Sequence, residues 1–429
     1  MQQLMHQSHR WRAVILWALV ASWLVGCSSN ATSKSHDSTV YGPLTVRTAT
    51  QQHALDAFLN RYVGAMSLND RIGQMIYAQF AYNDCFDIVS CVQKYHPGGL
   101  IGYENVFSSF NQTKALTQNI QAAAPIPVII GTDVEGGQEN RLVSIYHNSY
   151  PAAADIANTG DVNYAYKKGR EMAHDILTLG MNADLAPVVD VPCTGCGGSG
   201  RDFGYSPDSV TKYGGAWLQG LQDGGVIGTM KHFPGLGSAT VDPHKGMPTV
   251  YKTKQDFETY DLAPYRALLA SGNVPGMIMS TNIMIPDIDK DLPAELSPKI
   301  ITDILRNELH YDGVVITDAL YMGGLGQFFY KDVNGARVPD HLAHLVLLAI
   351  EAGDDFILGP FNQETMDASF AAIKAAIHAG DITEARINAS VKRIIRLKVQ
   401  YGLIPFNPNS LPGAPQPQYF TPAQAPIKP

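Results

Sequence analysis

The chain has 429 residues, 16% of them charged and 45% hydrophobic, with a formal net charge of −8. It has 31 Lys and Arg against 39 Asp and Glu and no basic cluster. Binding to nucleic acid rests on neutralising phosphates, so this balance argues against a nucleic-acid partner and is that of a globular enzyme.

Arg10 and Arg12 precede an apolar run of 14 residues, Ala13 to Gly26. That is too short to span a bilayer and suits the hydrophobic region of a signal peptide. The run ends in Leu24-Val25-Gly26-Cys27, which looks like a bacterial lipobox, with Cys27 as the lipidated first residue of the mature chain; ordinary cleavage near the same place is the alternative. Residues 1–27 are therefore read as the signal segment and 28–50, rich in Ser and Thr, as a flexible tether. Residues 51–405 form the expected folded domain and 406–429 a Pro-rich tail. The expected location is exported and membrane-anchored, on the outer face of the cell membrane or in the periplasm.

Within the domain, short β-rich runs alternate with longer helical patterns. The predicted strands are Gly73–Phe80, Gly99–Tyr103, Pro127–Asp133, Ala183–Val191, Val226–His232, Gly276–Asn282, Gly313–Asp318 and Asp355–Leu358. Amphipathic segments fall between and after them at Asp208–Leu221, Pro298–Leu309, Leu342–Ala352 and Glu384–Tyr401, the last with Asp381 or Thr383 as its cap. Runs such as VIIGTD and GVVITD are apolar almost throughout, as strands covered on both faces require. Eight strand–helix units predict a single α/β domain, a (β/α)₈ TIM-type barrel; a doubly wound open sheet is the alternative.

Cysteine usage fits export. Cys85 and Cys91 are six apart and Cys193 and Cys196 form a CTGC turn among glycines, so two local disulfides are expected. A CxxC can also serve redox chemistry or zinc, but there is no second CxxC and a Gly-rich loop follows it.

The polar residues at strand ends carry the functional signal. Asp133, Lys231 with His232, and Asp318 each close an apolar strand, and a barrel gathers such ends on one face. An Asp before a helix also serves as an N-cap, so neither Asp133 nor Asp318 would suffice alone. Gly136-Gly137 predicts a tight loop that lets backbone approach a ligand. The Asp242-x-His244 spacing lets a carboxylate orient an imidazole and stabilise its protonated form, as a general acid needs.

KHFPGLGSATVDPHKGMP, GTDVEGGQENRL and VVITDAL resemble the motifs of glycoside hydrolase family 3, in particular its single-domain bacterial β-N-acetylglucosaminidases. The likeness runs from MSLNDRIGQM through DLAPVVDV, GRDFG and EAGDDFILG to SVKRIIRLKVQYGL. The resemblance implies Asp318 as nucleophile and His244, oriented by Asp242, as general acid/base. It further implies Asp133, Arg201, Lys231 and His232 as hydrogen-bonding partners of the terminal sugar. The implied reaction is retaining hydrolysis of terminal β-GlcNAc from peptidoglycan fragments or related oligosaccharides, through a covalent glycosyl-Asp. Phosphate in place of water, a β-glucosidase, and a lipoprotein that binds glycan without cleaving it are the alternatives. The expected partners are a carbohydrate and, through the lipid, the membrane; a monomer is expected and no cofactor is implied.

Three positions depart from the family pattern: Leu236 where His is usual, Pro243 where Ser is common, and Asn282 where His is frequent. A divalent metal held by His232, Asp242, His244 and Asp318 is a rival reading, disfavoured by Lys231 beside His232. His310, His341, His344, Trp217, Tyr164 and Tyr166 are read as surface or packing residues, and Arg141 as a brace paired with Glu135 or Glu139.

Overall fold

Each short apolar run becomes a parallel strand buried on both faces, and the caps written beside them set where the helices begin. The structure, a computed structural model, describes residues 48–80, 87–147, 150–193, 200–328, 341–360 and 362–407. The strands are β1 (Ile76–Phe80), β2 (Gly99–Gly102), β3 (Ile129–Thr132), β4 (Ala183–Asp184), β5 (Ile227–Phe233), β6 (Met277–Ser280), β7 (Val314–Thr317) and β8 (Ile357–Leu358). They lie in the order β8-β1-β2-β3-β4-β5-β6-β7, every neighbour parallel. A bridge between Ile316 and Phe356 joins β7 to the start of β8, with the Thr317 amide 3.0 Å from the Phe356 carbonyl, and closes the barrel. The fold is thus the expected (β/α)₈ TIM-type barrel, not an open doubly wound sheet.

Every strand is trimmed or shifted at an end relative to its predicted span, and two of the differences have a visible cause. β1 starts at Ile76 rather than Gly73, because Ser67 and Asp70 form a capping box that carries a helix from Leu68 to Gln74. β4 has regular pairing only over Ala183 and Asp184 and then runs on irregularly; Pro187 has no N–H to donate, but β5 still donates its Thr229 and Lys231 amides to the Ala186 and Pro187 carbonyls at 2.8 and 3.1 Å. The helical segments follow the apolar spacing closely: Lys299–Glu308, His341–Ala352 and Glu384–Gln400, the last capped by the Thr383 hydroxyl. The segment from Pro207 to Asp223 is helical with one π turn at Val210–Gly214, and its Trp217 is fully buried packing, as expected.

At the two ends of the domain the boundaries shift slightly. Thr48 caps a helix running Ala49–Gly64, so residues 49 and 50 belong to the fold rather than to the tether. Phe406 packs against Phe58 of that helix with tilted rings, their centroids 5.3 Å apart, which brings the start of the expected tail into contact with the domain. The last helix is bound to the barrel through buried Asp355, which meets Arg306 at 2.6 Å, Arg393 at 3.4 Å and the Ser390 hydroxyl at 2.5 Å. Among the described residues no helix is long and apolar enough to cross a membrane. Cys27 lies outside the described residues.

The cysteines divide. Cys193 is disulfide-bonded, while Cys196 lies outside the described residues. Cys91 is a free thiol, which corrects the expected pairing with Cys85. It sits on the inner face of the helix Ile88–Tyr95 with no exposed surface, and burial pushes the thiol up to about 12, the environment of an inert packing cysteine. Cys85 lies outside the described residues.

Candidate active site

Asp133, the Lys231-His232 pair and Asp318 all stand at the C-terminal ends of barrel strands, the face on which loops of this fold carry chemistry. A hairpin, Val134–Gly136 with Glu139–Asn140, follows β3 directly. Gly136 and Gly137 turn it with φ of +85° and +61°, as the Gly pair requires. Their close approach is to the protein itself, however: a Cβ at Gly136 would lie 2.3 Å from the Pro151 carbonyl, and one at Gly137 2.8 Å from the Ala152 Cβ.

The hairpin brings in a residue that the sequence reading gave no part in the site. Lys231 Nζ lies 2.8 Å from Asp133 and 2.6 Å from Glu135. Arg201 grips the same Glu135 with two bonds, Nε at 2.7 Å and Nη2 at 2.8 Å. Burial works to push the Glu135 carboxyl up, but the Lys231 and Arg201 charges override it and leave it at about 2. Burial likewise disfavours the Lys231 charge, and Asp133 and Glu135 outweigh it, so the ammonium is held above the ordinary lysine range. Two cations and two carboxylates thus form a neutral shelf, buried at Lys231 and Glu135 and half-open at Asp133 and Arg201. Beneath it Asp184 accepts the Val134 amide at 2.9 Å, and burial drives its carboxyl far upward, toward the neutral form.

His232 is held by a second residue with no assigned role. Its Nδ1 lies 2.7 Å from Asp190, whose other oxygen accepts the His232 amide at 3.2 Å and the Leu236 amide at 2.8 Å. Burial opposes the Asp190 charge, and His232 with these amides still holds the carboxyl below the usual range. Asp190 therefore shapes the whole KHFPGLG loop, and Leu236, the departure from the family pattern, serves it through its backbone while its side chain packs on the core. Asp190, Arg201, His232, Leu236 and Asp242 line a cleft of about 240 Å³.

Asp318 has its carboxylate fixed by two donors, the Thr281 hydroxyl at 2.9 Å and the Ala319 amide at 2.8 Å. Tyr103, whose hydroxyl lies 3.2 Å from that of Tyr321, feels the charges of both Asp133 and Asp318.

Asp242 and His244 form the expected dyad, Asp242 Oδ1 lying 3.0 Å from His244 Nδ1 and 2.9 Å from its amide. Both side chains are exposed, 44% and 74%. The loop that carries them rests on Gly323-Gly324, just beyond Asp318: Gly324 donates its amide to the Pro243 carbonyl at 3.0 Å, and a Cβ on Gly323 would lie 2.6 Å from the His244 carbonyl. Asn282, the third departure, is buried nearby with neither side-chain polar atom bonded.

Arg141 pairs with Glu139 at 3.0 Å and Glu104 at 3.1 Å, bracing the hairpin as expected, though not through Glu135. Among the described residues no cluster of His, Cys, Asp and Glu has a metal-holding arrangement. A larger groove of about 680 Å³ opens at the opposite end of the barrel, before β6 and β7, and contains none of these groups.

The barrel thus gathers acidic strand ends and an imidazole–carboxylate dyad at its C-terminal face. The family described as glycosyl hydrolase family 3, N-terminal domain, matches residues 67–397. A β-hexosaminidase, LpqI of Mycobacterium tuberculosis, is 30% identical over 401 residues, 90% of this chain and 97% of its own length. A family 3 β-N-acetylglucosaminidase from Paenibacillus sp. str. FPU-7 superposes with a TM-score of 0.72 at 30% identity, over 82% of this chain and 65% of that one. A relative from Arthroderma benhamiae, described as a secreted glycosyl hydrolase, is 32% identical over 70% of this chain and 84% of its own. The chain belongs to glycoside hydrolase family 3, and it is a glycoside hydrolase.

Proposed function

We propose that this enzyme is a retaining exo-β-N-acetylglucosaminidase. The observation that carries the reading is the docking of the Asp242–His244 loop on Gly323-Gly324, which ties an imidazole dyad to the segment leaving Asp318. Asp318, steadied by Thr281 and Ala319, attacks the anomeric carbon while protonated His244 gives its proton to the departing oxygen. Water then gives a proton to His244 and attacks the glycosyl-Asp318 ester, releasing the sugar with its configuration kept and Asp318 free. Asp133, Lys231, Arg201 and His232 form the polar shelf for the hydroxyls of the terminal sugar.

The substrate is a β-GlcNAc-terminated glycan, a peptidoglycan fragment in the version that the N-terminal segment favours: residues 1–27 export the chain and Cys27 carries the lipid. Likeness to a β-hexosaminidase and a β-N-acetylglucosaminidase supports this sugar over glucose. The test is release of p-nitrophenol from its β-N-acetylglucosaminide and β-glucoside, with and without phosphate, by wild type and Asp318→Ala. Turnover of the first substrate that falls by about 10⁴-fold or more in the variant is expected. Preference for the glucoside would overturn the sugar, dependence on phosphate would overturn water as the acceptor, and full activity in the variant would overturn the nucleophile.

A further inference from the structure

The loop that carries Asp242 and His244 leaves β5 at Phe233 and returns to the helix Lys254–Tyr260. The contacts among its own charged side chains do not place it. The His244 side chain is 74% exposed and bonds through Nδ1 to Asp242, and Lys245 pairs with the same Asp242 at 3.7 Å. These contacts travel with the loop, so they cannot fix where the imidazole stands. Backbone bonds seat the middle of the loop: the Gly324 amide donates to the Pro243 carbonyl, the Met284 amide to the Pro248 carbonyl and the Val250 amide to the Met284 carbonyl.

The two ends of the loop meet on one carboxylate that the proposed chemistry does not use. Asp261 closes the helix Lys254–Tyr260 as its C-terminal cap and has no exposed surface. On the return side, Lys252 Nζ lies 2.5 Å from Asp261 Oδ2. On the outgoing side, the Ser238 hydroxyl lies 3.4 Å from Asp261 Oδ1, and Gly235 packs so closely that a Cβ on it would lie 2.7 Å from the Asp261 Cβ. Lys252 is thus the charged residue of the loop whose ion pair crosses to another element. Its ammonium also stands over the Tyr260 ring, 4.8 Å from the centroid, and the Tyr260 hydroxyl donates to the Pro192 carbonyl at 3.1 Å. Burial pushes the Asp261 carboxyl up to about 6 while Lys252 pulls it down, so it is ionised at and above neutral pH.

We propose that Asp261 is a positioning residue for the acid/base step, a buried anion that gathers both ends of the loop and so sets where His244 stands. The inference rests on the reading of Asp242 and His244 as the acid/base dyad. Joining the two ends of a loop removes conformations that it would otherwise sample. Losing that constraint leaves the barrel strands paired but shifts a proton donor relative to its oxygen, and a shift of about 1 Å can cost about 10²-fold in rate. Asp261 exchanges no proton with the substrate; it acts through His244.

The experiment measures kcat/KM, which reports the first chemical step, on two substrates. One is a GlcNAc-β-GlcNAc disaccharide, whose leaving group needs a proton; the other is the 2,4-dinitrophenyl β-N-acetylglucosaminide, whose leaving group does not. Asp261→Asn and Lys252→Met should each lose about 10–100-fold on the disaccharide and under about 3-fold on the dinitrophenyl glycoside. Lys252→Arg, which keeps the charge, should lose less than Lys252→Met. In a His244→Ala background, Asp261→Asn should cost under about 3-fold on the disaccharide, because the group it places is gone. Equal losses on the two substrates, or a full loss in the His244→Ala background, would mean a general distortion of the site and overturn the proposal. Folded variants that lose nothing would overturn it equally. If urea unfolding shows that Asp261→Asn does not fold, Lys252→Met, altered at a partly exposed side chain, decides by the same comparison. A His244→Ala loss that is equal on both substrates would remove the dyad reading and this inference with it. A selective loss in His244→Ala beside a non-selective one in Asp261→Asn would overturn the inference alone.

Discussion

The two polar clusters proposed for the active site are built on opposite principles. In the shelf of Asp133, Glu135, Arg201 and Lys231 the central Lys231–Glu135 pair is buried, and the charges cancel at 2.6–2.8 Å. The Asp242–His244 dyad is exposed, held by its own short hydrogen bonds and by the seating of its loop on two glycines. A group that recognises a sugar gains from being fixed before the substrate arrives. A group that must give up a proton and recover it from water gains from standing in water. Mutations should therefore separate the halves, costing stability in one and turnover in the other.

The largest effect is expected at Lys231→Met. Removing one cation leaves Glu135 and Asp133 with Arg201 alone, and breaking a buried pair costs about 3–5 kcal/mol. Urea unfolding measures it, and a loss below about 1 kcal/mol would mean that the shelf behaves like a surface pair. His244→Ala should lower kcat by about 10²–10³-fold with unfolding unchanged within about 0.5 kcal/mol. The loss should shrink on a substrate whose leaving group needs no proton; equal loss on both would sink the acid role.

Glu135→Gln sharpens the contrast through pH. The Glu135 carboxyl is depressed from 4.5 to about 2, so its stabilisation is complete above pH 4.5 and disappears as pH falls through about 2. The variant should be less stable by about 2–3 kcal/mol at pH 7, and the gap should close across that window. A gap independent of pH would show that packing, not charge, is lost. The smallest effect is expected at Lys245→Ala, whose exposed pair with Asp242 at 3.7 Å should contribute less than about 0.5 kcal/mol. A larger change would show that the dyad loop depends on charge as the shelf does.

The sequence alone determined the barrel, because eight apolar runs covered on both faces leave few other arrangements, and the observed strands overlap all eight predicted spans. It also marked Asp133, Lys231, His232 and Asp318, since a charge closing an apolar strand is conspicuous, and Asp242 with His244, since their partner is two residues away. What it did not mark were the residues whose meaning depends on distant partners. Glu135 looked like a loop residue until Arg201, 66 positions on, and Lys231 closed on it. Asp190, 42 positions before His232, did show a signal, a charge inside the apolar run DLAPVVDV, but not its purpose. Likewise Cys91 could be paired by spacing, yet the packing of its helix turned it into the core. Local spacing fixes periodicity and short-range hydrogen bonds, whereas burial and long-range charge are properties of the closed barrel, and only the tertiary structure decided them.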